Sequence, residues 1–328
     1  MLDIAVIGAG RIGRIHARNV AALRRARLVG IADPDTAAAA ALAEACASRV
    51  IDLDEAFAAQ AVLIASPTPT HAAFIERAAA SGRAVFCEKP IDLDAARAEA
   101  CVAMAERAGI PLMIGFNRRF DPHFAALKGA LDEGAIGALE VLSITSRDPS
   151  PPPPAYVATS GGLFRDMAIH DLDMARFLLG EPVVEVFAAA SCLVDPAIGV
   201  AGDVDTALIT LRTASGRLCS ISNSRRASYG YDQRIEAHGA AGMLRAGNVP
   251  LTMLERAGAG GFTTAVAQPF FLERYADAYR LELDAFVSAV EAGTAPRPDG
   301  RDGLAALLLA DAAAESLRSG RAVRPRAG

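Results

Sequence analysis

The chain has 328 residues, of which 52% are hydrophobic and 22% charged, with a formal net charge of −5; the length suggests two domains and the balance excludes a disordered chain. No apolar run reaches about 18 residues and the chain opens on a strand-like run rather than a signal-peptide pattern, so neither a membrane span nor secretion is expected. Lys and Arg are scattered and the balance is acidic, which leaves no electrostatic footprint for nucleic acid.

Residues 1–116 alternate apolar runs with Ala-rich helical stretches. The runs fall at 4–7, 27–32, 61–65, 84–87 and 110–116. Helices are predicted between them, for example over Asp35–Cys46 and over Thr70–Ala80 with Thr70 as the N-cap. This alternation predicts a parallel sheet covered on both faces. Continuous runs such as Ala61-Val62-Leu63-Ile64-Ala65 suit strands buried on both sides.

After Phe116 the rhythm changes. A helix is predicted over Asp121–Leu131 and a strand over Ala138–Arg147. A Pro-rich surface loop follows at 149–154, then a long helix from about Gly162 to Leu179. Strand-like runs at Val183–Val194, Val204–Leu211, Leu218–Asn223 and Tyr231–His238 have no helices between them. They predict a large, mainly antiparallel open sheet. Helices over Arg274–Val290 and Gly303–Leu317 end the series. The predicted class is α/β followed by α+β, with a Rossmann-type domain at 1–117 and a second domain at 118–328. The last helix, 303–317, can pack back on the first domain.

Ile4-Ala5-Val6-Ile7 runs directly into Gly8-Ala9-Gly10-Arg11-Ile12-Gly13, a strand entering G-x-G-x-x-G. Gly8 permits the tight turn, Gly10 lets backbone approach a pyrophosphate, and Gly13 lets helix and strand pack closely. The helix that opens here aims unpaired N–H groups at the phosphates, so Arg11 and Ile12 join the candidate contacts. Asp33 ends the next apolar run, where a carboxylate accepts hydrogen bonds from a ribose diol. It would repel a 2′-phosphate, and the following residue is Pro34 rather than an Arg. NAD is therefore expected in preference to NADP.

Two further loops fall at the carboxyl edge of the predicted sheet. Ser66, Pro67, Thr68 and His71 lie in the first, and Glu88 and Lys89, stiffened by Pro90, in the second. These residues complete the candidate cofactor-binding set. Lys89 reads equally as a ligand-facing cation and as a solvated surface lysine.

In the second domain, Asp166 and His170 stand four residues apart on a predicted helix, on one face. A carboxylate there orients an imidazole and raises its proton affinity, which makes a general acid/base unit. The bland alternative is a helix-surface pair worth a few tenths of a kcal/mol. A metal site of Asp166, His170 and Asp173 lacks a clear fourth partner, so no metal is expected. The five cysteines show no metal-like spacing and read as buried thiols of a reducing compartment.

From end to end the chain resembles the Gfo/Idh/MocA oxidoreductases. The resemblance rests on Gly8–Gly13, Pro67–His71, Glu88-Lys89-Pro90, Gly115–Asp121 and Gly161–Asp173. Asn223–Glu236 and Phe270–Tyr275 make it most similar to the bacterial inositol 2-dehydrogenase branch. The resemblance implies a catalytic set of Lys89, Asp166 and His170, with His170 as general base, Lys89 stabilising charge on the reacting oxygen and Asp166 tuning His170. It places Asn117, Arg118 and Tyr231 against a polyol. Asn117 stands where some inositol dehydrogenases carry Met, whereas Arg118 is retained. Asp148 and Ser146 are further candidates for that polyol. The implied activity is NAD-dependent oxidation of the C2 hydroxyl of myo-inositol or a related inositol, in a cytoplasmic homotetramer. The alternatives are a dehydrogenase for another polyol or an aldose, and a catalytically idle NAD-binding sensor.

Overall fold

Five strands build the first of two units: β1 (Leu2–Ile7), β2 (Ala26–Ala32), β3 (Ala61–Ile64), β4 (Ala84–Glu88) and β5 (Leu112–Gly115). All pair in parallel, in the order β2-β1-β3-β4-β5. The chain departs to opposite sides of β1, the switch point at which open α/β sheets form ligand crevices. The coordinates are a computed structural model that describes residues 1–326.

The crossovers are α1 (Arg11–Ala22), α2 (Thr36–Ala45), α3 (Leu53–Ala58), α4 (His71–Ala80) and α5 (Ala95–Ala108). Asp35 caps α2 by accepting from the Ala38 N–H at 3.0 Å, and Asp52 with Glu55 closes a capping box on α3. Thr70 does not cap α4 as expected. It ends a 3₁₀ turn over Thr68–Thr70, and its hydroxyl donates to the Pro67 carbonyl at 2.7 Å instead. A hydroxyl turned back into its own loop is unavailable to the next helix.

The second unit contains α6 (Pro122–Asp132), β6 (Leu139–Arg147), α7 (Pro154–Ser160), α8 (Ile169–Leu179), β7 (Val183–Ser191), α9 (Pro196–Val200), β8 (Thr206–Thr213), β9 (Leu218–Ser224), β10 (Asp232–Gly239) and β11 (Gly242–Ala246). A hairpin of β12 (Glu255–Gly258) and β13 (Gly261–Thr264) and the short α10 (Phe271–Arg274) follow. Six strands form one sheet in the order β11-β10-β6-β9-β8-β7. Every neighbouring pair is antiparallel except β6 and β9, which run in parallel. The long excursion through α7, α8, β7 and β8 makes that parallel pairing possible. Along β8, Ala207, Ile209 and Leu211 point inward and Leu208, Thr210 and Arg212 outward. α8 covers the inner face, packing on β6.

The helix predicted from Gly162 to Leu179 is two elements. Gly161 and Gly162 have φ of +86° and +78°, Phe164–Ala168 forms a π-helical turn, and α8 follows. π turns inside helices recur at functional sites.

Two last helices are α11 (Ala276–Ala292) and α12 (Gly300–Ser319). Residues 1–120 and 278–307 form the first unit, and 121–277 with 308–326 the second. The sequence reading assigned all of 118–328 to one domain, but α11 belongs with the first unit. Its Leu283, Phe286 and Val287 share a buried cluster with Ile4, Val6, Leu63, Phe86 and Met113. Phe86 and Phe286 meet edge to face at 5.8 Å. α12 divides, its residues up to 307 falling in the first unit and the remainder in the second. Among the described residues no helix is long and apolar enough to cross a membrane.

Candidate active site

The glycine-rich turn leaves β1 at the carboxyl edge of the parallel sheet. Gly8 has φ +112°, and a Cβ there would lie 2.5 Å from the Ala65 carbonyl oxygen. At Gly13 a Cβ would lie 2.0 Å from the Gly8 carbonyl oxygen, so α1 could not pack this closely on the turn with any other residue. Asp33, at the end of β2, straps the turn from the other side. Its Oδ2 accepts from the Ala9 N–H at 2.6 Å and its Oδ1 from the Asp35 N–H at 2.8 Å. Each oxygen keeps a further lone pair for a ribose hydroxyl. Arg11 is exposed and Ile12 half-buried on the first turn of α1. A dinucleotide fits this edge: a helix N-terminus for its phosphates, an exposed glycine at position 10 and a carboxylate on the neighbouring strand.

Two loops continue the edge. Ser66 and Thr70 join through their hydroxyls at 2.6 Å, while Pro67 is exposed and Thr68 half-buried. His71, another of the candidate cofactor contacts, opens α4. It is 1% exposed, and its ring spans from the Ser66 carbonyl (Nε2, 2.8 Å) to the Pro90 carbonyl (Nδ1, 2.8 Å). The neutral ring has one N–H to donate to one of these carbonyls, and its other nitrogen lies 2.8 Å from the second, so His71 sits between the loops after β3 and β4. Burial lowers its pKa from 6.5, outweighing the opposing pull of the two carbonyls. Glu88 is buried as well. Its carboxylate turns inward, with Oε1 2.7 Å from His16 Nε2. Lys89, half-buried, follows immediately after β4 at the edge itself. Asn117 and Arg118 are buried on the 3₁₀ turn that follows β5.

In the second unit, the ends of β6 and β9 and the start of β10 gather at one end of the sheet. Asp148 follows β6, its N–H donating to the Ser224 carbonyl at 2.9 Å. Tyr231 precedes β10, buried with its ring edge-on to Phe270 and Tyr275 at 6.1 and 6.0 Å. Asp166, on the π turn, accepts from the Tyr156 hydroxyl at 2.9 Å and from Arg225 Nη2 at 3.3 Å. His170 is half-buried at the second position of α8. Asp148, Tyr231, Asp166 and His170 therefore belong to the second unit, and Lys89, Asn117 and Arg118 to the first.

Ser146 is the penultimate residue of β6, opposite Gln233 and Asn223. It is fully buried and receives the Gln233 side-chain N–H at 3.0 Å. The metal alternative lacks support: among the described residues, the cluster with metal-compatible spacing is His16, Glu88 and Glu282, not Asp166, His170 and Asp173. Asp171 points away from Asp166 and accepts from Asn223 Nδ2 at 2.8 Å. A cavity of about 320 Å³ lined by Arg147, Thr206, Ser224 and Tyr229 includes none of Asp148, Asp166 and His170.

Two contributors escaped the sequence reading, Arg225 and Tyr156. Arg225 is 1% exposed, a guanidinium held inside the unit beside Asp166. A buried Arg is rare without a carboxylate partner. Its signal was its place at the end of a strand-like run, in Asn223-Ser224-Arg225-Arg226, but nothing local ties it to residue 166.

Comparison with known proteins agrees with both halves. Residues 2–116 match the oxidoreductase family with an NAD-binding Rossmann fold, and residues 124–245 match the GFO/IDH/MocA C-terminal domain. An inositol 2-dehydrogenase of Rhizobium meliloti is 53% identical over 321 residues, covering 97% of each chain. The crystal structure of a myo-inositol dehydrogenase from Corynebacterium glutamicum superposes with a TM-score of 0.95 at 44% identity, covering 100% of each chain. A scyllo-inositol dehydrogenase from Lactobacillus casei, solved with bound NAD(H) and scyllo-inositol, gives 0.90 at 29% identity over 99% of each chain. From the glycine turn of its parallel sheet to the mixed sheet of its second unit, the chain belongs to the GFO/IDH/MocA family of NAD-binding oxidoreductases.

Proposed function

We propose that this chain is an NAD-dependent dehydrogenase that oxidises the C2 hydroxyl of myo-inositol, or of a related inositol, to the 2-keto product. The observation that carries the reading is the near full-length identity to a relative named inositol 2-dehydrogenase, in a chain whose cofactor edge keeps its glycines and Asp33. NAD, when bound, accepts the hydride from the carbinol carbon. Gly8, Gly10, Arg11, Ile12 and Gly13 bind its pyrophosphate, Asp33 its ribose, and Ser66, Pro67 and Thr68 line its path.

His170 takes the proton of the reacting hydroxyl, and Lys89 hydrogen-bonds the same oxygen as negative charge develops on it. Asp166 acts through His170, and Arg225 and Tyr156 hold Asp166 in place. Asn117, Arg118, Asp148 and Tyr231 supply donors and acceptors for the remaining hydroxyls. A site built for several hydroxyls rejects analogues that lack one, because its polar groups would be left unpaired.

The enzyme is further proposed to be a cytoplasmic homotetramer. Support for association comes from the outward face of the second unit's sheet, which carries Val141, Phe187, Leu208, Leu218 and Met243, all more than a third exposed. Light scattering coupled to size exclusion checks the assembly, and a monomeric mass contradicts it. The function is tested by following NADH formation with myo-inositol, scyllo-inositol, D-chiro-inositol and glucose. Turnover on an inositol is expected. Activity on glucose with none on any inositol makes the chain an aldose dehydrogenase, and NAD binding without any turnover makes it a sensor.

A further inference from the structure

Behind the cofactor edge, within the first unit, lies a group of ionisable side chains that the proposed chemistry leaves unexplained. His16 comes from α1, Glu88 is the last residue of β4 and Glu282 stands on α11. One side-chain atom from each lies within 4.8 Å of the other two, and all three residues are buried. The space for the Glu88 carboxyl exists because β5 carries Gly115 opposite it. A Cβ at Gly115 would crowd the three carboxyl atoms at 3.1 Å. Phe86 and Tyr279 wall the His16 ring edge-on at 5.0 and 5.6 Å.

The hydrogen bonds assign the protons. His16 Nε2 meets Glu88 Oε1 at 2.7 Å, while Nδ1 is buried with no partner. An N–H left unpaired costs more than an idle lone pair, so the ring proton sits on Nε2 and Glu88 accepts it. Both oxygens of Glu282 are buried and make no hydrogen bond. A carboxylate there would carry its charge without compensation and would repel that of Glu88. Burial first, and the Glu88 charge second, push the Glu282 carboxyl well above the ordinary range.

We propose that His16, Glu88 and Glu282 form a buried proton-holding cluster in which Glu282 is un-ionised at neutral pH, and that the cluster positions Lys89. Lys89 is the residue after Glu88, so a Glu88 side chain anchored to α1 and bordered by α11 fixes where the lysine leaves β4. As an acid, Glu282 can turn its O–H dipole toward the Glu88 charge, which a hydrocarbon could not do. The positioning half of the proposal rests on the reading of Lys89 as a catalytic residue; the protonation half does not.

The test uses the full-length protein. The infrared spectrum of the wild type at pH 7 should contain the C=O stretch of an un-ionised carboxylic acid, and E282Q should lack it. Gln is neutral and of similar shape, so E282Q should keep kcat and the KM for NAD. H16L should lower kcat by up to about 10²-fold, the penalty of misplacing a catalytic group by about 1 Å, while leaving the KM for NAD unchanged. The proposal is overturned by an acid band that is absent from the wild type or unchanged in E282Q. It is also overturned if E282Q loses as much kcat as E282A, or if the purified protein holds a stoichiometric divalent metal, which would need both carboxylates ionised. Full activity in K89A would refute the catalytic reading of Lys89 while leaving the infrared result standing.

Discussion

Substituting Ala at Gly10 and at Gly13 separates what the protein needs from what its ligand needs. Gly10 has φ −69° and ψ −169°, an extended conformation that Ala adopts freely, and a Cβ there meets no protein atom within 4 Å. Loss of unfolded-state freedom should stabilise G10A by about 0.4–1 kcal/mol. Ala is a poorer N-cap than Gly, by an amount of similar size, so the net change should be within about 0.5 kcal/mol. The added methyl faces only the place assigned to the pyrophosphate. At an overpacking cost of about 1–3 kcal/mol, NADH binding should weaken by about 5–150-fold. At Gly13 the clash is internal. A Cβ 2.0 Å from the Gly8 carbonyl must be moved by about 1 Å to reach even the tightest contacts real structures show. Both partners are main chain, so no rotamer relieves it, and G13A should lose about 1–3 kcal/mol of stability as well as NADH affinity. Urea unfolding followed by circular dichroism gives the first quantity, and titration of NADH fluorescence the second. Wild-type NADH affinity in a stable G10A would refute the placement of the pyrophosphate. Wild-type stability in G13A would refute the close approach of α1 to the turn.

Three further outcomes are expected. Replacing His170 by Ala should cut kcat by about 10²–10⁴-fold if it is the general base, and near-normal turnover would place the base elsewhere. Replacing Asp33 by Ala should narrow the preference for NAD over NADP, measured as the ratio of kcat/KM values; an unchanged ratio would show that Asp33 does not meet the ribose. His71 predicts a pH dependence of stability. Its folded pKa lies below 6.5, so as pH falls through 6.5 the unfolded chain takes up a proton that the folded chain refuses. The His71 contribution is complete above 6.5 and declines below it. The stability difference between wild type and H71N should shrink from pH 7.5 to pH 5.5 in urea titrations, and a constant difference would contradict a buried neutral ring.

Local chemistry made part of this molecule readable from its residues alone. The turn at Gly8 and the close helix approach at Gly13 were legible because both depend on spacing along one strand–turn–helix unit. The five parallel strands were legible because each is built on an apolar run, broken in β1, β2 and β4 by a single charged residue. His71 was legible by place alone: the sequence put it at the sheet edge, whereas a ring set between the Ser66 and Pro90 carbonyls depends on where the loop after β4 passes. Glu282 carried no local signal at all, since an acidic residue on an amphipathic helix ordinarily faces water. Its burial follows from the return of α11 to β4. The parallel pairing of β6 with β9 was hidden for a related reason, because pairing partners distant in sequence leave no mark in either strand's pattern.

That return of α11 has a consequence for how the polypeptide reaches its native state. Phe86, Ile4 and Leu63 obtain their neighbours Leu283, Phe286 and Val287 only from a stretch translated nearly two hundred residues after Phe86. A nascent chain emerging in order must hold a half-covered nucleotide module open until residues 283–287 have been made. Residues 1–117 expressed as a separate fragment would therefore be a sticky, aggregation-prone intermediate rather than a miniature cofactor-binding protein, and a stop codon anywhere before 278 would cost the first unit its stability along with the second.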